Sequence, residues 1–466
     1  MTGPLDAIAA ITDQAWLVGG AVRDRVLGRE TADYDVVMPV RTGDEVRQLA
    51  RALARATGAN SFALSDAFGA WRVIARSRDW QVDLMPLEGG TIEADVSRRD
   101  LTINAIAQPL GGDGALVDLT GGLADLAAGR LRAVGSDSFE RDPLRALRLA
   151  RFASELGFAP EPGTIALARA SAAKLSGVAS ERVFAELRRL LTAGRALDGL
   201  DVMDATAVTD AILPELVSLR GLEQSRFHHL DVYEHTRAVL AEAIALERDP
   251  EPAFGADAPA VRELLSAPLA NDLTRGGALR FGALLHDIAK PETRAVTAEG
   301  RITFMGHDEL GANLSAAILT RLRASAQLTE HVSNLTRHHL RLGFLVHQMP
   351  LDRREIYRYL DACNPVGADV TVLSVADRLA TRGDNAGPAI ARHLELARQL
   401  LHEALRWSAE PPRPPIRGDE LIAALGIRPG PQLGELLHEL EEAAYAGEVS
   451  SREEAIGYAR ERAQRE

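Results

Sequence analysis

The chain has 466 residues, of which 46% are hydrophobic and 26% are charged, and this composition is typical of a globular protein rather than a disordered one. Because domains usually contain about 100 to 200 residues, the length predicts about three packed units. The formal net charge of −13 argues against a chain wrapped in nucleic acid, which needs clustered Lys or Arg to neutralise phosphates.

Cysteine usage and hydropathy restrict the class of protein further. Cys363 is the only cysteine, so we expect no intramolecular disulfide and no multi-cysteine zinc site, and a metal must be held by His and carboxylates. No apolar run reaches the roughly 18 residues that a membrane span needs. The N-terminus lacks the basic segment that precedes the apolar stretch of a secretory signal. We therefore expect a cytoplasmic protein.

Hydrophobic periodicity divides the chain into two kinds of structure. Short β-like runs such as AWLVGG, DYDVVM and WQVDLMPL alternate with helical patterns over about the first 135 residues. From Asp137 onward, apolar residues recur at helical spacing and strand signals nearly vanish. The pattern predicts an α+β protein, in which a domain with a mixed β-sheet is followed by an all-α remainder.

The segment LVGGAVRDRVLGRETADYDVVM combines a strand, a glycine turn, a short helix and a second strand. Gly19 and Gly20 let backbone amides approach a phosphate, and Arg23 can add a charged fork to a triphosphate. Asp33 and Asp35 face the same side of a strand, where they can hold Mg²⁺ between a triphosphate and an attacking hydroxyl. Alone, DYD also fits a polar strand edge. The glycine turn upstream favours the metal interpretation.

Two further segments add polar groups to this N-terminal part. Asp83 lies in the apolar strand WQVDLMPL, where it either completes the metal set or pairs with an arginine. The segment RRDLTINAIA carries four charged or amide side chains: Arg98, Arg99, Asp100 and Asn104. Such groups suit phosphates and ribose hydroxyls, although a surface ion-pair cluster has the same composition.

The segment DPLRALR predicts the beginning of a helix. Asp142, Arg145 and Arg148 fall at positions i, i+3 and i+6, and Pro143 lies in the first turn. The first two side chains therefore share a helix face. A structural role explains the same residues: Asp142 would cap the helix and form a salt bridge with Arg145. This role is compatible with a binding role.

These segments resemble the motifs of class II tRNA nucleotidyltransferases and bacterial poly(A) polymerases, members of the DNA polymerase beta superfamily. LVGGAVRDRVLGRETADYDVV resembles their head-domain signature, and RRDLTINAIA resembles the second motif, which contacts the ribose. LVDLTGGLADLAAGRLRAVG, ERDPLRALRLARF and ASERVFAELRRLL resemble the third, fourth and fifth. Arg141 departs from the family pattern, which usually has an acidic residue there.

The resemblance implies a template-independent enzyme that uses Mg²⁺ to add CCA to the 3′ end of tRNA from CTP and ATP. Asp142 and Arg145 would then hydrogen-bond the edge of the incoming base in place of a template. A poly(A) polymerase, and enzymes that add only A or only CC, share these motifs and remain alternatives.

A second set of metal-ligand side chains lies in the helical part: His235, His286, Asp287, His307, His338 and Asp377. His338 is the first histidine of the pair in LTRHHLRLGF. Scattered histidines are usually core or surface residues, but the series resembles that of HD-domain metal-dependent phosphohydrolases. Imidazole and carboxylate ligands suit a divalent metal such as Ni²⁺ or Mn²⁺. Whether the site catalyses hydrolysis, even as the main activity, remains open.

The resemblance also predicts four segments. They are a nucleotidyltransferase head (1–136), a helical neck with the base-selecting motif (137–225), an HD-type body (226–408) and a C-terminal helical tail (409–466). EPPRPPIRG marks a linker before the tail, and the sequence that follows it resembles the C-terminal region of the family.

Overall fold

The computed structural model describes residues 3–40, 44–65, 69–111, 114–224, 229–383 and 386–463. Contacts divide the chain into two compact units, an N-terminal unit (Met1–Ile212) and a C-terminal unit (Leu213–Glu466). This division is coarser than the four segments expected from the sequence, whose boundaries stay a prediction. None of the helices in the described ranges combines the length and the apolar character needed to cross a membrane.

The β-strands of the described residues lie mainly in the first 118 positions. They are β1 (Trp16–Val18), β2 (Asp33–Met38), β3 (Asn60–Ser65), β4 (Ala70–Ile74), β5 (Gln81–Pro86), β6 (Ile106–Pro109), β7 (Val117–Asp118), β8 (Arg130–Leu131), β9 (Ala159–Pro160), β10 (Pro268–Ala270), β11 (Leu273–Thr274), β12 (Ala295–Val296) and β13 (Ile302–Thr303).

The α-helices of the N-terminal unit flank the sheet or follow it in the chain. They are α1 (Pro4–Ile11), α2 (Gly20–Val26), α3 (Glu45–Thr57), α4 (Ile92–Val96), α5 (Gly122–Ala128), α6 (Ser138–Arg141), α7 (Leu144–Leu156), α8 (Pro162–Ser171), α9 (Ser180–Thr192), α10 (Ala196–Ala205) and α11 (Val208–Ile212).

The C-terminal unit is built almost entirely from α-helices. They are α12 (Pro214–Val217), α13 (Val232–Arg248), α14 (Glu251–Phe254), α15 (Ala258–Ser266), α16 (Arg275–Leu285), α17 (Lys290–Thr293), α18 (His307–Arg321), α19 (Ala326–His338), α20 (Arg341–Leu345), α21 (Arg353–Ala362), α22 (Gly367–Ala380), α23 (Ala386–Ala409), α24 (Gly418–Leu425), α25 (Pro431–Ala446) and α26 (Arg452–Ala463). Short 3₁₀ turns lie at Thr102–Asn104, Ala172–Gly177, Gly255–Asp257 and Val346–Gln348.

Seven strands form one sheet in the order β3-β4-β5-β2-β1-β6-β7. Strands β2 and β5 are parallel, and the other neighbours are antiparallel, so the predicted mixed sheet is confirmed. Consecutive residues of the central strands are buried, Leu17 and Val18 in β1 and Val36 and Val37 in β2, so both faces of the sheet are covered there. The first three residues of β2, Asp33 to Asp35, are exposed or half-buried, and this end of the strand positions the first candidate site.

In the C-terminal unit, α16 is the central helix. Every residue from Gly276 to Leu285 is buried, and all of them are apolar or small except Arg280, which pairs with Glu247 at 2.8 Å. The helix packs against α13, α19 and α22. The α+β class is therefore confirmed, although the expectation of an all-helical remainder from Asp137 onward missed β9 and the pairs β10–β11 and β12–β13. Strands of two or three residues are too short to produce a periodic signal in the sequence.

Candidate functional site

Strand β2 carries the first pair of predicted metal ligands. Asp33 and Asp35 are separated by one residue, so both lie on the same face of the strand. The parallel register places Asp35 directly opposite Asp83 of β5. Partial burial raises the pKa of Asp35 above its ordinary value, the guanidinium of Arg99 lowers it, and Asp83 raises it. The crowding of carboxylates is the electrostatic setting in which a divalent cation fits.

Asp83 has a second interaction that the sequence analysis had left open. Both of its carboxylate oxygens accept hydrogen bonds from Arg72 of β4, at 2.7 Å each. The pairing with an arginine is therefore present. Asp83 still adds negative charge beside Asp35, but Asp33 and Asp35 are the pair without such an arginine clamp in the described structure.

The glycine turn lies against the carboxylates. Gly19 has φ +70°, and a Cβ at this position would lie 3.0 Å from Nη1 of Arg99 and 3.5 Å from Oδ2 of Asp35. A larger residue would be strained by its backbone and would displace one of these groups. Arg99 is held through Nε and Nη2 by Asp95, at 2.9 and 2.8 Å. Its guanidinium is therefore fixed beside the turn and the Asp35 carboxylate.

Arg23, which the sequence predicts to contact the triphosphate, is buried, and its guanidinium is hydrogen-bonded to two other side chains. Its Nε and Nη2 donate to Asp24 at 2.9 Å each, and its Nη1 donates to Oδ1 of Asn104, also at 2.9 Å. It thus connects the turn to the RRDLTINAIA segment. Among the predicted arginines, Arg99 is the one whose guanidinium lies directly beside Gly19.

A pocket of about 410 Å³ lies next to these groups. Its lining comprises Arg99, Asp100, Asp142, Leu144, Arg145, Arg148, Arg182, Ala185 and Glu186. The structure thus brings together five predicted residues from two distant motifs. Arg98 is not among the lining residues; it is exposed and pairs with Glu88 at 2.7 Å.

Asp100 is the buried anion of this pocket. Its Oδ2 accepts from Nε and Nη2 of Arg148 at 2.9 and 2.7 Å, and its Oδ1 accepts from Nδ2 of Asn104 at 3.0 Å. Burial opposes ionisation, but the charge of Arg148 and these hydrogen bonds hold the pKa of Asp100 well below its usual range. The carboxylate therefore fixes Arg148 and Asn104 relative to each other.

Asp142 precedes α7, whose N-cap is Pro143 rather than the expected Asp142, and Arg145 lies in the first turn; the two side chains do not pair with each other. Arg145 donates to the backbone oxygens of Arg99 and Ser138, at 3.3 and 3.1 Å. Asp142 accepts from the backbone amide of Leu144 at 3.1 Å and from Nη2 of Arg182 at 2.8 Å. The salt bridge expected at this helix start is absent from the described contacts of the two side chains.

Arg182 was missed by the sequence analysis as a site residue. It lies on α9, 40 positions from Asp142, and nothing in its local sequence shows which carboxylate it meets. Its position inside ASERVFAELRRLL, the segment that resembles the fifth family motif, was the available signal. Arg141, the departure from the family pattern, pairs with Asp137 through its Nε at 2.8 Å.

The C-terminal unit assembles the second set of predicted ligands. His235 lies on α13, His286 and Asp287 follow α16, His307 begins α18 and Asp377 lies on α22. Two groups of ligand atoms lie within 4.8 Å of one another: His235, His286 and Asp287, and Asp287, His307 and His339. In addition, Nε2 of His235 lies 3.0 Å from Oδ1 of Asp377.

Three of the imidazoles are oriented by the backbone. The Nδ1 atoms of His286, His307 and His339 lie 2.9, 2.6 and 2.6 Å from carbonyl oxygens three residues earlier. Since a carbonyl only accepts, each Nδ1 must donate, and in the neutral form that a metal requires, the lone pair of each ring lies on Nε2. These Nε2 atoms are buried without a hydrogen bond, 3.1, 3.3 and 3.8 Å from the Asp287 carboxylate. Backbone-oriented histidines with inward lone pairs fit a metal ion.

His339, rather than the predicted His338, belongs to this group. His338 is the last residue of α19, and its Nδ1 accepts a hydrogen bond from Nε of Arg341 at 2.9 Å. Nε2 of His339 lies 3.8 Å from Oδ1 of Asp287, whereas His338 is engaged by Arg341, so His339 is the one of the pair that faces the other ligands. The prediction of His338 as a ligand is therefore corrected to His339. Burial and the neighbouring rings of His286 and His307 lower the pKa of His339 to about 4, which keeps it in the neutral form that a metal requires.

A pocket of about 750 Å³ opens above the ligands, and Asp287, His307, His339 and Asp377 are among its lining residues. Phe304 and Phe344 contribute apolar walls, and Arg378 and Arg392 contribute positive charge. Lys290 is held by Asp287 at 2.7 Å and by Gln224 at 2.6 Å. The pocket therefore places positive charge and apolar walls next to the ligand residues.

Three protein families match successive parts of the chain. The Poly A polymerase head domain matches residues 15–132, and the HD domain matches residues 232–382. A family described as the probable RNA and SrmB-binding site of polymerase A matches residues 157–219.

Curated relatives match the chain almost from end to end. The A-adding tRNA nucleotidyltransferase of Deinococcus radiodurans is 37% identical over 450 residues, which cover 95% of this chain and 94% of the relative. The CC-adding tRNA nucleotidyltransferase of Thermus thermophilus is 34% identical, over 95% and 92% of the two chains. The solved structure of the Thermotoga maritima CCA-adding enzyme complexed with tRNA-CCA has the same fold, with a TM-score of 0.62, 20% identity and coverage of 98% and 93%. The chain therefore belongs to the tRNA nucleotidyltransferase family.

Proposed function

We propose that this protein adds nucleotides to the 3′ end of tRNA without a nucleic-acid template, using CTP and ATP as donors. The observation that carries the proposal is the position of Asp33 and Asp35 on one face of β2, beside the turn at Gly19. Carboxylates next to a phosphate-binding turn are what phosphoryl transfer requires. The family membership supports the same reaction.

Family membership implies a divalent metal, and we propose Mg²⁺ held by Asp33 and Asp35, with Asp83 as a third carboxylate. When bound, Mg²⁺ supplies activation of the RNA 3′-hydroxyl and charge stabilisation on the departing pyrophosphate. The backbone at Gly19 and Gly20 would receive the triphosphate. Of the predicted phosphate-binding arginines, Arg99 lies beside Gly19 and Arg23 lies beside Gly20, where Asp24 and Asn104 hold the guanidinium of Arg23.

Base selection in this proposal depends on Asp142 and Arg145, with Asp100 fixing Arg148 on the helix that follows Asp142 and carries Arg145. Cytosine and adenine both present an exocyclic amine, which donates to a carboxylate, beside a ring nitrogen, which accepts from a guanidinium. Uracil and guanine present a carbonyl oxygen where the amine would be. One carboxylate and one arginine can therefore accept CTP and ATP and reject UTP and GTP.

Complete CCA addition is the reaction that we propose, and addition of A alone is the second candidate, because the Deinococcus relative carries that name. The test uses three tRNA transcripts, lacking CCA, ending in C, or ending in CC, each incubated with CTP, ATP or both. Full CCA addition extends all three transcripts. An A-adding enzyme extends only the transcript that ends in CC, and extension of none of them contradicts the proposal.

We propose a second activity, hydrolysis of a phosphate ester at the HD site with Ni²⁺ or Mn²⁺. The support is the set of buried histidines whose Nδ1 atoms are tied to carbonyls and whose Nε2 atoms surround Asp287. The experiment measures bound metal after dialysis and hydrolysis of a cyclic nucleotide by the full-length protein. Metal binding without hydrolysis would reduce the site to a structural one.

The four predicted segments fit this division of labour, and we retain them as a proposal: head (1–136), neck (137–225), HD body (226–408) and tail (409–466). The sheet and the proposed Mg²⁺ ligands fall in the first, and the HD ligands fall in the third. A cytoplasmic location is proposed from the tRNA-processing relatives.

A further inference from the structure

The carboxylate of Asp142 has a specific neighbour that none of the family matches assigns. Its Oδ2 accepts a hydrogen bond from Nη2 of Arg182 at 2.8 Å, and its Oδ1 accepts from the backbone amide of Leu144 at 3.1 Å. Leu144 and Arg182, which donate these two hydrogen bonds, both line the pocket of about 410 Å³. The orientation of Asp142 is therefore set by two donors, one on each oxygen.

A purely structural role for Arg182 is poorly supported, because other contacts already connect its helix to α7. Arg189 of α9 donates to Glu155 of α7 at 3.0 Å, and buried Arg151 of α7 bonds Glu186 of α9. The Arg182–Asp142 pair is also partly exposed, with side-chain exposures of 55% and 30%. Pairs this accessible contribute little to stability.

We propose that Arg182 is a positioning residue for nucleotide selection, which orients the Asp142 carboxylate to accept the exocyclic amine of cytosine or adenine. This inference rests on the proposed function. A carboxylate oxygen can accept two hydrogen bonds, so Arg182 and a base amine can share it. Losing the arginine would free the carboxylate to rotate, and an amine-bearing base would have to order it again on binding.

The inference predicts an unequal effect on the four nucleotides. CTP and ATP gain from an oriented acceptor, whereas UTP and GTP present a carbonyl oxygen that gains nothing from a carboxylate. Arg182→Ala should therefore lower kcat/KM for CTP and ATP and leave the low values for UTP and GTP nearly unchanged. We expect selectivity for CTP over UTP to fall about tenfold, equivalent to about 1.4 kcal/mol.

The experiment measures kcat/KM for all four nucleotides with the full-length wild type, Arg182→Ala, Arg182→Lys and Arg189→Ala. Arg189 is the matched control, since it lies on the same helix and forms a similar pair with Glu155, with exposures of 52% and 21%. The expected result is reduced selectivity in Arg182→Ala, partial recovery in Arg182→Lys, and wild-type selectivity in Arg189→Ala.

Equal loss for all four nucleotides, or equal behaviour of Arg182→Ala and Arg189→Ala, would overturn the inference. Equilibrium binding of the four nucleotides without tRNA provides a separate measurement. If the wild type binds CTP more tightly than UTP but adds nothing to tRNA, the proposed function fails, and the comparison of Arg182→Ala with wild type still tests the positioning role. If Arg182→Ala still binds CTP over UTP with the wild-type ratio of affinities, the positioning role of Arg182 is wrong even when no nucleotide is added to tRNA.

Discussion

The assignment of His339, and not His338, to the metal group can be tested with two adjacent alanine variants. Both side chains are buried, so each substitution removes a similar volume from the C-terminal unit. They differ in their contacts: Nε2 of His339 faces Asp287, whereas Nδ1 of His338 accepts from Arg341. We expect both variants to lose stability without metal, and only His339→Ala to lose the stabilisation that metal provides.

The size of that effect follows from ligand linkage. Metal at about 1,000 times its dissociation constant stabilises the folded state by about 4.1 kcal/mol. Loss of a residue that hydrogen-bonds a metal ligand lowers metal affinity by about 10 to 100-fold. For His339, which we take as a direct ligand, we use about 100-fold. The same metal concentration then provides about 1.4 kcal/mol. The difference of about 2.7 kcal/mol corresponds to about 5 to 11 °C in Tm for a unit of this size.

The assay is thermal unfolding of the wild type and both variants, each with a chelator and with Mn²⁺, together with the metal content after dialysis. The measured quantity is the Mn²⁺-dependent increase in Tm. We expect His338→Ala to retain the wild-type increase and His339→Ala to lose most of it. The reasoning is refuted if the two variants lose the increase equally, or if His338→Ala loses more of it.

Three further substitutions test the two sites and the fold. Asp35→Asn should lower nucleotide addition at least about a hundredfold with an unchanged Tm, because metal stabilisation of charge contributes several kcal/mol; normal incorporation would contradict the metal assignment. His286→Ala combined with Asp287→Ala should abolish metal-dependent hydrolysis while CTP incorporation persists, and parallel loss of both activities in a folded variant would reject two independent sites. Gly122→Ala should destabilise the protein by at least about 1 to 3 kcal/mol in denaturant unfolding, because its Cβ would lie 2.2 Å from a backbone carbonyl oxygen. Gly163→Ala, in helix α8 with open space around the new Cβ, is the control and should be at least as stable as the wild type.

The sequence predicted the polymerase-like site through local patterns. Alternation along DYDVV is sufficient to place Asp33 and Asp35 on one face, because strand geometry has a period of two residues. The pairing of Asp83 with Arg72 was not predictable to the same degree. It depends on the neighbour order β4-β5-β2, and a sequence does not state which strands become neighbours.

The helical metal group shows a second limit of local patterns. Histidines on separate helices could be recognised as a series, but the choice between His338 and His339 depends on how α19 is rotated against α16. That rotation is fixed by packing between helices, which single-sequence periodicity does not resolve at a helix end. Arg182 was missed for a related reason, since its partner is 40 residues away on another helix.

Because Asp100 binds both Asn104 and Arg148, it limits how the selectivity of this enzyme can evolve. One carboxylate anchors Asn104, in the segment expected to contact the sugar, and Arg148, on the helix expected to read the base. Substitutions in a shared network are generally not additive. Selectivity for the sugar and selectivity for the base should therefore be coupled. A substitution that lets the enzyme accept deoxyribose should also change its preference among bases. To change the two selectivities independently, the protein would first need a second carboxylate that binds either Asn104 or Arg148 in place of Asp100.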